Sequence, residues 1–76
     1  MAREQRFQIQ SPQRDVRDID YRGEMAVVSL AISRALASEQ QEGTWTVLEY
    51  GEPIYHVRKG TVDGGLLMTV SEAQAS

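Results

Sequence analysis

The amino-acid sequence predicts an α+β fold, in which one amphipathic helix packs on a small antiparallel sheet in the order β-α-β-β-β. Only residues 24–40 carry a sustained helical pattern of apolar residues. The segments on either side alternate polar and apolar residues, or are rich in β-branched and aromatic ones, as strands are. Glycine-containing turn signals separate the later segments. The 76 residues make a single domain, 1–76, whose ends at 1–4 and 71–76 are expected to fray.

The first predicted strand covers residues 5–10, where polar and apolar residues alternate and Phe7 and Ile9 share one face. The strand ends before Pro12, because proline has no N–H to donate to a neighbouring strand. The sheet is therefore expected to begin ahead of the helix and to receive its other strands after it.

Residues 13–23 form a connector in which arginine and aspartate interleave with apolar residues. The spacing of Val16 and Ile19 permits a turn of helix, and Gly23 disfavours an unbroken helix through the region. Two interpretations stay open. The connector is either a solvated segment whose charges pair locally, or an electropositive edge that docks a partner. The arginines of that edge are Arg14, Arg17 and Arg22.

The helix carries two apolar surfaces. The residues of its main stripe recur at three- and four-residue steps, which places them on one face and predicts that they pack on the sheet. They are Met25, Val28, Ile32 and Leu36. A surface helix of a monomer normally turns charged residues outward, but a second apolar flank lies off this stripe. We therefore expect the flank to be an oligomerisation surface, which forms a homodimer or a larger assembly. Its predicted contact residues are Ala26, Val27, Leu30 and Ala37.

A β-hairpin is predicted over residues 44–59, because β-branched and aromatic residues flank a turn signal at Gly51-Glu52. A two-residue type II′ turn there would pair Trp45 with Arg58 across the two strands. Residues 66–70 form the last predicted strand, after a loop that contains three glycines.

Alternation divides this hairpin into two faces. The face that is uncharged except at its end is placed against the helix, and the mixed face is expected to meet solvent or a partner. The first face carries Thr44, Thr46, Leu48, Tyr50, Tyr55, Val57 and Lys59. The second carries Trp45, Val47, Glu49, Ile54, His56 and Arg58. A shift of the pairing by one residue would exchange the two faces.

The mixed face supplies the main candidates for recognition, because tryptophan and arginine are enriched in binding hot spots. The candidate contact residues are Trp45, His56 and Arg58, with the three arginines of the connector as a second contact region. In the alternative interpretation, Trp45 and Arg58 form a cation–π pair that only stabilises the sheet.

Composition argues against several other functions. A net charge of −3 disfavours non-specific nucleic-acid binding. The chain has no cysteine and one histidine, His56, so we expect no metal site, no cofactor and no catalytic activity. No apolar run is long enough to span a membrane, and the N-terminal residues lack the apolar core of a signal peptide. The expectation is a soluble, cytoplasmic protein with no membrane contact.

The helix at 24–40, the hairpin at 44–58 with Gly51-Glu52 at its tip, and the strand at 66–70 together define a layout. This layout resembles that of small phage-encoded accessory proteins, anti-CRISPR inhibitors among them. The resemblance implies a non-enzymatic protein that binds a surface of a host protein or nucleoprotein complex, such as CRISPR-Cas machinery, in the host cytoplasm. It rests on layout and not on a motif, so it assigns no binding residues.

Two other functions remain as alternatives. The chain could be a homo-oligomeric structural or assembly protein that uses the helix flank. It could also bind single-stranded nucleic acid by stacking bases on aromatic residues of the sheet.

Overall fold

An antiparallel sheet of five strands forms the body of the fold, and one helix packs across one of its faces. The structure is a computed structural model that describes residues 7–19 and 23–73. Its elements are β1 (Phe7–Gln10), β2 (Val16–Ile19), α1 (Glu24–Ala37), β3 (Gly43–Glu49), β4 (Glu52–Val62) and β5 (Gly65–Glu72). The strands lie in the order β2-β1-β3-β4-β5, which confirms the predicted α+β class.

The sequence analysis missed β2. Residues 16–19 pair antiparallel with β1 and so extend the sheet, instead of forming a helical turn or a plain connector. The reversal between the two strands is closed by backbone hydrogen bonds from Arg14 N–H to Ser11 O and from Ser11 N–H to Asp15 O, both 2.9 Å. Ile19 pairs with Phe7 and is buried with it, so a single apolar residue anchors this short strand.

The helix packs on the sheet through a stripe that matches the predicted one only in part. Val28 is buried and Ile32 packs against the core cluster, as expected, but Met25 and Leu36 are 70% and 56% exposed. The buried residues of α1 are Val27, Val28, Ala31 and Ala35. They share one core cluster with large side chains of the sheet, Phe7 and Trp45 among them. Small helix residues opposite large sheet residues let the two layers approach closely and fill the space between them.

The hairpin of β3 and β4 turns one residue earlier than predicted. Tyr50 and Gly51 occupy the turn with φ of 52° and 81°, as the two central residues of a type I′ turn require. The pairing then shifts by one residue between Val47 and Leu48, where the register is irregular. Beyond this irregularity, Trp45 pairs with Val57, and Arg58 pairs with Thr44.

This register exchanges the predicted faces at Trp45 and Val47 of β3. Trp45 and Val47 are buried beneath the helix together with Val57 of β4. The predicted faces are therefore wrong for Trp45 and Val47 of β3. On β4 they are correct for Val57 and Lys59 but wrong for Ile54, which packs against the core cluster. The prediction that Trp45 meets solvent or a partner is wrong for the same reason.

The last strand is longer than predicted. β5 continues to Glu72, so Ser71 and Glu72 belong to the sheet and not to a frayed tail. The predicted fraying of residues 1–4 lies outside the described residues.

Lys59 of β4 links the C-terminal end of the helix to the sheet through hydrogen bonds. Its side chain is only 7% exposed, and its Nζ donates hydrogen bonds to Ala35 O at 3.0 Å and to Ser38 O at 2.8 Å. The last carbonyls of a helix lack partners within the helix, and a cation there also opposes the negative end of the helix dipole. At the other end of α1, Tyr55 Oη donates to Glu24 Oε2 over 3.4 Å. Both ends of the helix are thus attached to β4.

We predict that Lys59→Met lowers the free energy of unfolding by about 1.5–3 kcal/mol, the range for hydrogen bonds to charged groups. Methionine keeps the length of the apolar stem but removes the donor, which leaves two carbonyls at the helix end without it. Urea denaturation followed by circular dichroism measures the change. Arg58→Met is the matched control: Arg58 is exposed on the next rung of β4 and should change stability by no more than about 0.5 kcal/mol. Equal losses in the two variants would contradict this role of Lys59.

A second prediction concerns Tyr55. Partial burial of its phenol and the negative charges of Glu24 and Glu72 raise its pKa above the ordinary value of 10.0. Glu24→Gln should bring that pKa back toward the ordinary value, as measured from the ring resonances of Tyr55 in an NMR pH titration. Glu42→Gln, which changes a carboxylate elsewhere in the chain, should leave it unchanged.

The raised pKa of Tyr55 also makes the stability of the fold depend on pH. In the unfolded chain Tyr55 ionises at its ordinary pKa, whereas in the folded chain it stays neutral to higher pH. The stability contributed by neutral Tyr55 is therefore complete below pH 10.0 and is lost as the pH rises through the folded-state pKa. Glu24→Gln should reduce this loss.

Candidate interaction surfaces

The predicted recognition residues do not form one site. Trp45 is 5% exposed and belongs to the core cluster, so it cannot act as a surface anchor. It lies on the helix side of the sheet, whereas Arg58 pairs with Thr44 and is exposed. The expected cation–π pair between Trp45 and Arg58 is therefore not formed across the strands.

His56 and Arg58 lie together on the face of the sheet that the helix does not cover. His56 is half-buried, and its Nδ1 is 3.2 Å from Thr46 Oγ1. Arg58 lies between Thr44 on β3 and Thr69 on β5 in the sheet register. The uncovered face is thus polar here, and Arg58 makes no hydrogen bond or ion pair with the other described residues.

Arg14 and Arg17 of the connector lie at the opposite edge of the sheet, beside and on β2. Arg14 is in the reversal between β1 and β2, with φ of 68°, and Arg17 is exposed on β2. Arg22 lies outside the described residues. An open groove at this edge is lined by Arg17 and by Arg34 of the helix, but also by Asp15. The carboxylate offsets part of the positive charge, so this edge is mixed and not simply electropositive.

The predicted oligomerisation flank of the helix faces the sheet for the most part. Val27 is fully buried, and Leu30 packs against the core cluster. Ala26 is half-buried, and only Ala37 is exposed. The prediction that this flank is an outward-facing contact surface is wrong for Val27, because the helix is rotated so that its small residues meet the sheet.

The most apolar exposed surface is on the hairpin formed by β4 and β5, which the sequence analysis did not single out. Four of its large apolar side chains are 46–55% exposed: Val62, Leu66, Leu67 and Val70. The main contacts of the helix are with β1, β3 and β4, and on β5 Met68 is half-buried against the core cluster. A sequence signal was present, since the apolar run 66–70 follows the turn at Asp63-Gly64, but a strand of that composition is equally typical of a core.

Strand β5 is also an edge of the sheet, because within residues 7–19 and 23–73 only β4 pairs with it. It has eight residues and no proline, and its first charged residue is Glu72 at its end. An edge strand leaves a row of backbone N–H and C=O groups unpaired, and a long apolar one is a template for pairing with another chain.

The opposite edge, β2, differs in each of these respects. It has four residues, and Arg17 and Asp18 occupy its centre. Asp18 Oδ1 also accepts a 2.7 Å hydrogen bond from Gln8 Nε2 on β1. A short edge strand with charged side chains is one of the ways in which proteins prevent pairing with other chains. Of the two edges of this sheet, β5 is therefore the one that is open to strand addition.

Within residues 7–19 and 23–73, no group of three or more His, Asp or Glu side chains is placed to hold a metal ion. In the same ranges, the helix is too short and too polar to cross a bilayer. Comparison of the chain with protein-family models, with curated proteins and with solved structures finds no match.

We predict that Trp45→Ala lowers the free energy of unfolding by about 3–5 kcal/mol, because it removes a large buried side chain and leaves a cavity. A chain of this size has a total stability of only about 4–11 kcal/mol, so the variant should lose much or all of it. Chemical denaturation followed by circular dichroism tests this. Leu36→Ala removes an exposed side chain on the helix and should have little effect. A stable Trp45→Ala variant would contradict the burial of Trp45.

Proposed function

We propose that the chain is a non-enzymatic protein-binding module that acts by adding an extended segment of another polypeptide to the β5 edge. The observation that carries this proposal is the contrast between the two sheet edges. β2 is short and charged, whereas β5 is long, uncharged until Glu72 and, among the described residues, has no strand on its outer side.

Strand addition at β5 would use both the backbone and the side chains. The outer N–H and C=O groups of β5 supply hydrogen bonds that depend little on sequence, and alternate side chains supply specificity. Val70 and Met68 lie on the helix side, since they pair with Val57 and Lys59 in the sheet register. Leu67 pairs with Gly60 and lies on the uncovered side. An added strand would therefore meet apolar side chains on both faces.

Arg58 extends this surface on the uncovered side of the sheet. Arg58 pairs with Thr69, and Leu67 lies two residues further toward the turn, on the same face of β5. Thr44, Arg58, Leu67 and Thr69 line a common groove. Arg58, which has no ion pair with the other described residues, and the exposed Leu67 give the surface one charged contact and one apolar contact, a combination that is typical of protein interfaces.

For the biological role, we propose inhibition of a host protein or nucleoprotein complex, as in the small phage-encoded proteins whose layout the chain resembles. The support is the resemblance in layout together with a surface suited to protein contact. Binding of single-stranded nucleic acid has less support, because Trp45 and Tyr55 pack on the helix side and leave no aromatic platform of these two residues on the uncovered face.

The experiment compares two Leu→Lys variants with equal exposure. Leu67 on β5 and Leu36 on the helix are 51% and 56% exposed, so each substitution introduces the same charge at a similar site. The wild-type chain, immobilised on resin, is used to capture a protein from lysate of the source cells. The captured protein is then purified, and its dissociation constant is measured by calorimetry against all three chains.

We expect Leu67→Lys to weaken binding roughly tenfold, or about 1.4 kcal/mol, because a lysine on an edge strand opposes the addition of another strand. Leu36→Lys should bind like the wild type. Equal affinities for the wild type and Leu67→Lys would show that β5 is not the contact surface.

A further inference from the structure

We propose that a second copy of this chain pairs with β5, strand to strand and antiparallel, around a twofold axis that passes beside Met68. The two five-stranded sheets then form one continuous sheet with both helices on the same side. This inference rests on the proposed role of β5 as a strand-pairing edge and names the chain that occupies it.

Symmetry limits the registers in which β5 can pair with itself. A twofold axis perpendicular to the sheet keeps each side chain on its own face, so a residue can lie opposite itself or opposite a residue an even number of positions away. With the axis beside Met68, the two copies of Met68 face each other. Leu66 then lies opposite Val70 of the second copy, and Leu67 lies opposite Thr69 of the second copy.

The apolar residues match in this register. On the helix side, Leu66, Met68 and Val70 of the two copies form one unbroken apolar row. Leu66 and Val70 are about half exposed in the single chain, and Met68 is half-buried. Because the main contacts of α1 are with β1, β3 and β4, we expect neither helix to obstruct the approach of the second copy. Apolar cross-strand pairs of this kind stabilise a sheet.

Charge also favours self-pairing in this register. No charged residue lies between Gly65 and Ser71, so no like charges meet in the centre of the pair. Glu72 lies opposite Gly64 of the second copy, which keeps the two carboxylates apart. With the axis beside Thr69 instead, Glu72 would lie opposite Leu66, and the apolar row would be interrupted. The register around Met68 therefore keeps the apolar row unbroken, which the register around Thr69 does not.

The first part of the experiment measures solution mass by light scattering over a concentration series. We expect the wild type to approach twice 8.5 kDa as the concentration rises. Leu67→Lys should shift the series toward the monomer, and Leu36→Lys should match the wild type. Circular dichroism checks that all three are folded.

The second part tests the register with single cysteines, which is straightforward because the chain has none of its own. Met68→Cys places two thiols directly opposite each other across the twofold axis, within reach of a disulfide. Thr69→Cys places them on the other face and two rungs apart. In a glutathione redox buffer, we expect Met68→Cys to form a covalent dimer and Thr69→Cys to stay largely monomeric on a non-reducing gel. Equal cross-linking of the two variants would overturn the proposed register.

The outcomes separate this inference from the proposed function. A wild-type chain that stays at 8.5 kDa at every concentration overturns the second copy as occupant. The proposed function still stands in that case if Leu67→Lys loses affinity for a captured protein. A dimer that is unaffected by Leu67→Lys, with no cross-link at Met68→Cys, overturns β5 as the self-pairing edge.

Discussion

The contact between the Lys59 ammonium and the end of the helix is the interaction on which the rest of the structure depends. Lys59 Nζ donates to the carbonyls of Ala35 and Ser38 from beneath the helix. This fixes the position of the helix end over β4, and with it the stripe of the helix that faces the sheet. Ala31 and Ala35 then face the sheet, and large side chains of the sheet fill the space between the two layers. A buried charge is tolerated here because two backbone carbonyl groups accept hydrogen bonds from it.

The sequence predicted the fold class because its signals are local. Helical spacing over residues 24–40 and the turn residues near 51 and 64 depend only on near neighbours in the chain. It did not predict which faces are buried. Moving the hairpin turn by one residue, from Gly51-Glu52 to Tyr50-Gly51, changes each cross-strand pair by two positions and alone would place Trp45 opposite His56, on the predicted outer face. The register shift between Val47 and Leu48 adds a slip of a single residue, which places Trp45 opposite Val57 on the helix side. The turn requires a positive φ at Tyr50, a conformation that tyrosine rarely adopts, so residue type favoured the other turn.

The candidate surface on β5 could not be predicted from the sequence, for a different reason. Residues 66–70 were predicted to be a strand, and they lie within β5. Whether a strand is central or at an edge depends on the order of all strands, which is set by contacts between residues far apart in the chain. The strand β2 was missed because only Ile19 anchors it, and that strand occupies the other edge. Without β2, the contrast between the edges could not be seen.

That contrast limits how far assembly can proceed. A sheet with two open edges can accept a strand on each side, and copies of it would then continue into a filament of indefinite length. In this chain one edge is closed by its shortness and by the charges of Arg17 and Asp18. Each molecule can therefore take part in a single strand-addition event, after which no growing end remains. The asymmetry of the sheet thus favours a finite complex over a fibre, even though β5 has the composition of an aggregation-prone strand.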